Sequence, residues 1–244
     1  MTTFSELVGW SPPMASDQET HGTTVMAVRY AEGVLVVADR RATAGHLIMF
    51  DQAEKVLSLD DETLIAISGA FARSIEVCRF LQHAFKFFRR INLQEMSLEG
   101  KLMEISRALA GNAPMASQGI GVFLPIVAAY DRKRDKFSLH FFDGAGARFE
   151  SGAYACAGSG SERIRGAFEL VARKEGDWAR QPLDQALGNA LTLLDIAADL
   201  DSATGGFTKE LPVVWTLDRS GAKRLEADAV GSAVAAVLGQ SRAS

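Results

Sequence analysis

The 244-residue chain is 48% hydrophobic and 23% charged, long enough to bury a core without disulfides or metals and too apolar for extensive disorder. Its net charge of −4 gives no basic footprint for nucleic acid. Two cysteines, Cys78 and Cys156, make neither a disulfide framework nor a Cys-based zinc site, and no stretch approaches the roughly 18 consecutive apolar residues of a membrane helix.

Residues 1–22 hold Pro12, Pro13, several Ser and Thr, Glu6, Asp17 and Glu19, but no Lys or Arg. A secretory signal needs a basic start and an apolar run, and a mitochondrial presequence needs Arg, so neither fits; the segment reads as a disordered tail or a removable propeptide. The β-branched alternation of residues 24–30, the Glu32-Gly33 turn and residues 34–38 form a hairpin. Three charges, Asp39, Arg40 and Arg41, emerge at the end of its second strand. Taken alone, Asp39 with Arg41 suggests a structural ion pair. Short β runs follow at residues 46–50, 55–59 and 63–68, so five strands precede any helix.

Gly69 breaks that pattern. Residues 72–90 carry apolar positions at helical period and end in Arg89-Arg90, which suits the negative end of a helix dipole. Residues 98–113 form a second helix with Ser97 as N-cap. Strands at 121–130, 136–142 and 154–157 come next, then helices at 161–173 and 183–198, a strand at 213–217 and one more short strand. The Ala/Val/Ser-rich segment from 227 is a surface helix or tail. Runs of strands alternating with helix pairs argue for an α+β fold in which two antiparallel sheets pack face to face between helices, a four-layer α-β-β-α sandwich.

The chemistry centres on Gly22-Thr23-Thr24. A cut between Gly22 and Thr23 would leave Thr23 with a free α-amine beside its own hydroxyl, a base and a nucleophile in one residue. An α-amine has a reference pKa of about 7.7–8.0. It would need an ammonium to hold its pKa down, an acid to orient that ammonium, and a backbone N–H for the oxyanion. Asp39, Lys55 and Gly69 offer these three groups. Against this, a lone Lys before Val is usually a solvated strand-edge residue. Gly158-Ser159-Gly160-Ser161 lacks the ending of a phosphate-binding P-loop, and the histidines show no metal-ligand spacing.

His21-Gly22-Thr23-Thr24, Asp39-Arg40-Arg41-Ala42-Thr43, Lys55 before Val56, Ser68-Gly69, Gly158-Ser159-Gly160 and Asp201-Ser202-Ala203-Thr204-Gly205-Gly206 together resemble the β subunit of the 20S proteasome, most closely the bacterial, actinobacterial type. The resemblance covers residues 21–226, and its spacing from Thr23 runs without a gap through Gly69. It implies the N-terminal nucleophile hydrolase fold, a propeptide of residues 1–22, a catalytic domain of residues 23–226 and a C-terminal helix or tail at 227–244. It implies a threonine endopeptidase acting on unfolded proteins, with Thr23 as nucleophile, Asp39 and Lys55 as its charge partners and the Gly69 N–H as oxyanion donor. Ser159, Asp201 and Thr204 match the supporting network.

Thr43 and Ala44 fall where the family pairs substrate as an added strand. Ala42, Ala53, Ile67 and Phe71 fall where it lines the pocket for the residue before the cut, which implies an apolar preference. The implied setting is cytoplasmic: a heptameric β ring, α subunits and an ATP-dependent unfoldase, with no cofactor and no metal. Competing readings are a related ring-forming threonine peptidase acting without α subunits, an amidohydrolase of the same superfamily, and a non-catalytic ring subunit.

Overall fold

Each strand of the first sheet sends alternate side chains to opposite faces, and the alternation sorts the interior into layers. In β1 (Thr24–Tyr30), Met26, Val28 and Tyr30 enter one core while Val25 and Ala27 enter another; in β2 (Gly33–Ala38), Leu35 and Val37 part from Val34, Val36 and Ala38 in the same way. Period-two patterning with apolar residues on both faces marks a sheet buried on both sides. The computed structural model describes residues 22–45 and 47–241. The expected removable segment therefore lies outside the described residues except for Gly22, and so does His46.

Beyond β2 the chain adds β3 (Ala42–Ala44), β4 (Leu47–Phe50), β5 (Val56–Asp60) and β6 (Thr63–Ala66), then helices α1 (Phe71–Asn92), α2 (Leu98–Ala110) and the single turn α3 (Ala113–Ala116). Strands β7 (Ile126–Asp131), β8 (Lys136–Phe142), β9 (Arg148–Ser151) and β10 (Tyr154–Gly158) follow. Helices α4 (Ser161–Glu175) and α5 (Leu183–Leu200), strands β11 (Val213–Asp218) and β12 (Gly221–Arg224), and helix α6 (Ala227–Ser241) complete the chain. One antiparallel sheet has the order β10-β1-β2-β11-β12 and the other β5-β6-β7-β8-β9, with β3 and β4 as a separate ribbon.

Three cores separate four layers. One lies between the sheets, one between the first sheet and α4, α5 and α6, and one between the second sheet and α1 with α2. This is the α-β-β-α sandwich expected from the order of elements. Ser97 caps α2 as anticipated, its side chain accepting from the Gly100 N–H.

The differences have local causes. The α2 helix stops at Ala110 rather than 113 because the chain turns at Gly111 and Asn112 into α3. Residues 121–125 do not join β7: Gly121 has φ +65°, Pro125 has no N–H to give a ladder, and only Phe123 forms a bridge there, to Gly69. Strand β9, Arg-Phe-Glu-Ser on the sheet edge, carries no apolar alternation to reveal it. β3 makes six strands before the first helix where five were expected. The segment from 227 is a helix whose Val230, Val234 and Val237 are buried in the outer core, so three helices rather than two cover that face.

A buried titratable group sits in the second sheet. His140 is 4% exposed; its Nε2 lies 3.0 Å from Ser138 Oγ, and its Nδ1 meets no partner among the described residues. Burial pushes its pKa below the ordinary value, against the weaker opposing pull of Glu150. An unfolded chain thus binds a proton at a pH where the native imidazole refuses it, so stability falls on acidification through the ordinary histidine range and rises with pH. The melting temperature should climb between about pH 5 and 7, and His140→Gln should flatten that dependence.

Candidate active site

The site forms where the first sheet meets two loops. Strand β1 lies between β10 and β2, with Thr24 opposite Gly158 and Val25 opposite both Ala157 and Ala38. Thr23, just before β1, is therefore held at the end of a central strand. Gly158 is obligatory beside it: φ is +99°, and a Cβ there would lie 2.0 Å from the Thr23 carbonyl oxygen. Gly22 fits a similar niche, where a Cβ would stand 2.1 Å from Thr43 Oγ1 and 2.9 Å from Ala203.

Asp39 is the hub. Its Oδ1 accepts from the Thr24 N–H at 2.7 Å and from Lys55 Nζ at 2.6 Å, and its Oδ2 accepts from the N–H groups of Arg41 at 2.9 Å and Gly205 at 2.8 Å. Four donors thus converge on one buried carboxylate and fix its orientation. Lys55 is fully buried and also donates to the carbonyls of Arg41 and Gly22, the latter at 3.3 Å. Burial lowers its pKa below the ordinary lysine value, and Asp39 opposes the shift. The Thr23 hydroxyl donates to that same Gly22 carbonyl at 2.5 Å. One carbonyl, that of the proposed cleavage bond, thus meets both the ammonium and the hydroxyl.

A second cluster closes over the first. Ser159 Oγ and Thr204 Oγ1 donate to Asp201 Oδ2 at 2.6 and 2.7 Å, and Ser159 Oγ also lies 3.4 Å from the Thr23 carbonyl oxygen. Gly69 is placed by the strand pairing of its neighbours: the Ala70 N–H donates to Val122 and the Leu124 N–H to Ser68. In that pattern the Gly69 N–H points away from Phe123. Lys55 and Ile67 are joined by an N–H···O bond of 2.8 Å, which sets Gly69 two residues beyond the strand neighbour of the buried ammonium.

The residues expected to bind substrate are distributed differently. Thr43 and Ala44 lie on β3, paired on one side with Ile48 and Leu47 of β4. Ala42, Ala53 and Ile67 are buried, Ile67 within the core beneath α1 and α2. Phe71 lines a cleft of about 450 Å³ with Arg73, Met115 and Ile120, a cleft that the other three do not line.

Two contacts depart from or go beyond the sequence reading. The Arg41 guanidinium pairs with Asp51 at 3.0 Å rather than with Asp39, and it donates to the carbonyls of Ser202 and Thr204, pinning the loop that carries Asp201. Thr24 Oγ1 lies 2.6 Å from Thr204 Oγ1. The first had a signal in the opposite charges at either end of the 41–51 segment. The second had none beyond the repeated threonine.

The family model described as proteasome subunit matches residues 19–209. The chain belongs to the proteasome subunit family. Proteasome subunit beta of Acidothermus cellulolyticus is 36% identical over 237 residues, covering 94% of this chain and 78% of that protein. The proteasome β subunits of Acidimicrobium ferrooxidans and Streptomyces griseus are 36% and 34% identical, covering 86% and 88% of this chain and 76% and 75% of their own. These relatives make this proteasome-family chain a bacterial β-type subunit of the core protease. No helix among its described residues is long and apolar enough to cross a membrane.

Proposed function

We propose that this chain is a threonine endopeptidase that activates itself by cutting the bond between Gly22 and Thr23. The observation that carries the reading is the Gly22 carbonyl, which receives both the Thr23 hydroxyl and the Lys55 ammonium. The ammonium draws electron density from the carbonyl carbon. Thr23 Oγ1 bonds to that carbon and the C–N bond breaks, the hydroxyl proton passing to the departing amine. Water then hydrolyses the resulting ester, releasing residues 1–22 with a new carboxylate and leaving Thr23 with free amine and hydroxyl.

In the mature chain the amine takes the hydroxyl proton as Oγ1 attacks a substrate carbonyl. Lys55, held by Asp39, keeps the amine unprotonated by like-charge repulsion. The Gly69 N–H receives the oxyanion, and Ser159, Asp201 and Thr204 order the surroundings of Thr23. Substrate adds as a strand along Thr43 and Ala44, with the apolar side chain before the cut received beside Phe71, which alone of the four expected pocket residues lines the described cleft. The working form is a cytoplasmic particle of heptameric β rings with α subunits, fed unfolded protein by an ATP-dependent unfoldase. Sequencing the purified chain from its N-terminus tests the reading: Thr23 should be the first residue. On a panel of peptides with Tyr, Arg or Glu before the cut, Tyr should be cleaved fastest, and a clear preference for Glu would overturn the apolar assignment.

A further inference from the structure

Asp39 with Lys55 and Asp201 with Ser159 form two polar clusters on different loops, and Thr24 bonds into both. Thr24 is fully buried. Its N–H reaches Asp39 and its carbonyl accepts from the Asp39 N–H at 3.1 Å. Its side chain, on the helix-facing side of β1 with Met26, reaches Thr204. The direction of that last bond follows from proton count. Thr204 donates its single hydroxyl proton to Asp201, so in the other bond Thr204 Oγ1 accepts and Thr24 Oγ1 donates. Hydroxyls of Thr24 and Thr204 thus run in series to Asp201 Oδ2, the same oxygen that Ser159 meets.

The pair has no slack. A Cβ on Gly160 would lie 2.3 Å from Thr24 Oγ1 and 2.6 Å from Thr204 Oγ1, so the backbone before α4 closes over both hydroxyls.

We propose that Thr24 is a positioning residue of the peptidase reaction: its hydroxyl, through Thr204, sets Asp201 and hence Ser159 against Thr23, while its N–H sets Asp39 and hence Lys55. This rests on the threonine-peptidase reading. A misplacement of about 1 Å among reacting groups can cost on the order of 100-fold in rate, so a shape-preserving loss of this hydroxyl should tell on kcat.

The test compares Thr24→Val, Thr24→Ser and Thr23→Ala in the full chain. It follows loss of residues 1–22 by intact mass and steady-state cleavage of an apolar fluorogenic peptide. Thr24→Val should slow self-cleavage and lower kcat by roughly 10- to 100-fold with KM unchanged, and Thr24→Ser should restore both. Because Thr24 acts through Thr204, the Thr24→Val, Thr204→Val double variant should be no slower than Thr204→Val alone. A folded Thr24→Val chain with wild-type kcat overturns the proposal, as does a double variant whose losses multiply. Should Thr24→Val fail to fold, Thr24→Cys fills the space with a weak donor, and wild-type kcat from that variant overturns the proposal equally. Thr23→Ala separates the two claims: if it still cleaves peptide, the peptidase reading fails, whereas an inactive Thr23→Ala beside an unaffected Thr24→Val sinks only the role given to Thr24.

Discussion

Thr23→Ala should keep all 244 residues of its chain and lose peptide hydrolysis by roughly 10⁴- to 10⁶-fold, the scale of removing an attacking hydroxyl. The substitution takes away the hydroxyl that bonds the Gly22 carbonyl while leaving Lys55 and Asp39 as they are. Thr23 is 4% exposed and its hydroxyl bonds only to Gly22 among the described residues, so little stability should be lost and the melting temperature should stay within a few degrees of wild type. Intact mass gives the first readout and a peptide assay the second. A variant chain that still begins at Thr23's position would mean that another nucleophile makes the cut, and the mechanism above would be wrong.

Replacing Lys55 with Met should be worse for the fold. The ammonium satisfies Asp39 inside the protein, and breaking a buried pair from one side typically costs 3–5 kcal/mol because the remaining charge has no counterpart. Three backbone N–H donors stay on Asp39, from Thr24, Arg41 and Gly205, which argues for the lower end, about 3 kcal/mol. Chemical denaturation would measure it. Activity should vanish as well, because the Gly22 carbonyl loses its cation. In the wild type the same burial gives a pH signature: with its pKa lowered, Lys55 gives up its proton at a pH below the ordinary lysine value. The alkaline limb of the rate profile should accordingly fall earlier than an exposed lysine would allow. A Lys55→Met chain that folds, matures and cleaves at the wild-type rate would remove Lys55 from the mechanism.

The layering was legible because period-two and period-3.6 patterns are local, and β1, β2, α1 and α2 display them plainly. The breaks came where packing overrides pattern. Strand β9 is polar and paired on one side, so nothing in Arg-Phe-Glu-Ser distinguishes it from a loop. Helix α6 reads as a surface helix or tail because its Ala and Ser content hides three buried valines. For the site, Thr23, Asp39 and Lys55 could be picked out because their chemistry is scarce and their spacing matched a family. The partner of Arg41 could not, since an arginine two residues from one aspartate and ten from another is equally compatible with either by distance in sequence. Thr24 was hidden for a different reason: a threonine at the head of a β-strand needs no explanation beyond its propensity, and only the three-dimensional neighbour reveals a hydroxyl in use.

The position of β1 has a thermal consequence. Because this strand is paired on both sides and feeds two of the three cores, no small opening can displace the residue in front of it without separating ladders that hold the whole sheet. Regions of that kind exchange and fail only with global unfolding. Heat should therefore leave activity intact up to the cooperative transition and remove it there in a single step, so that inactivation and melting curves coincide.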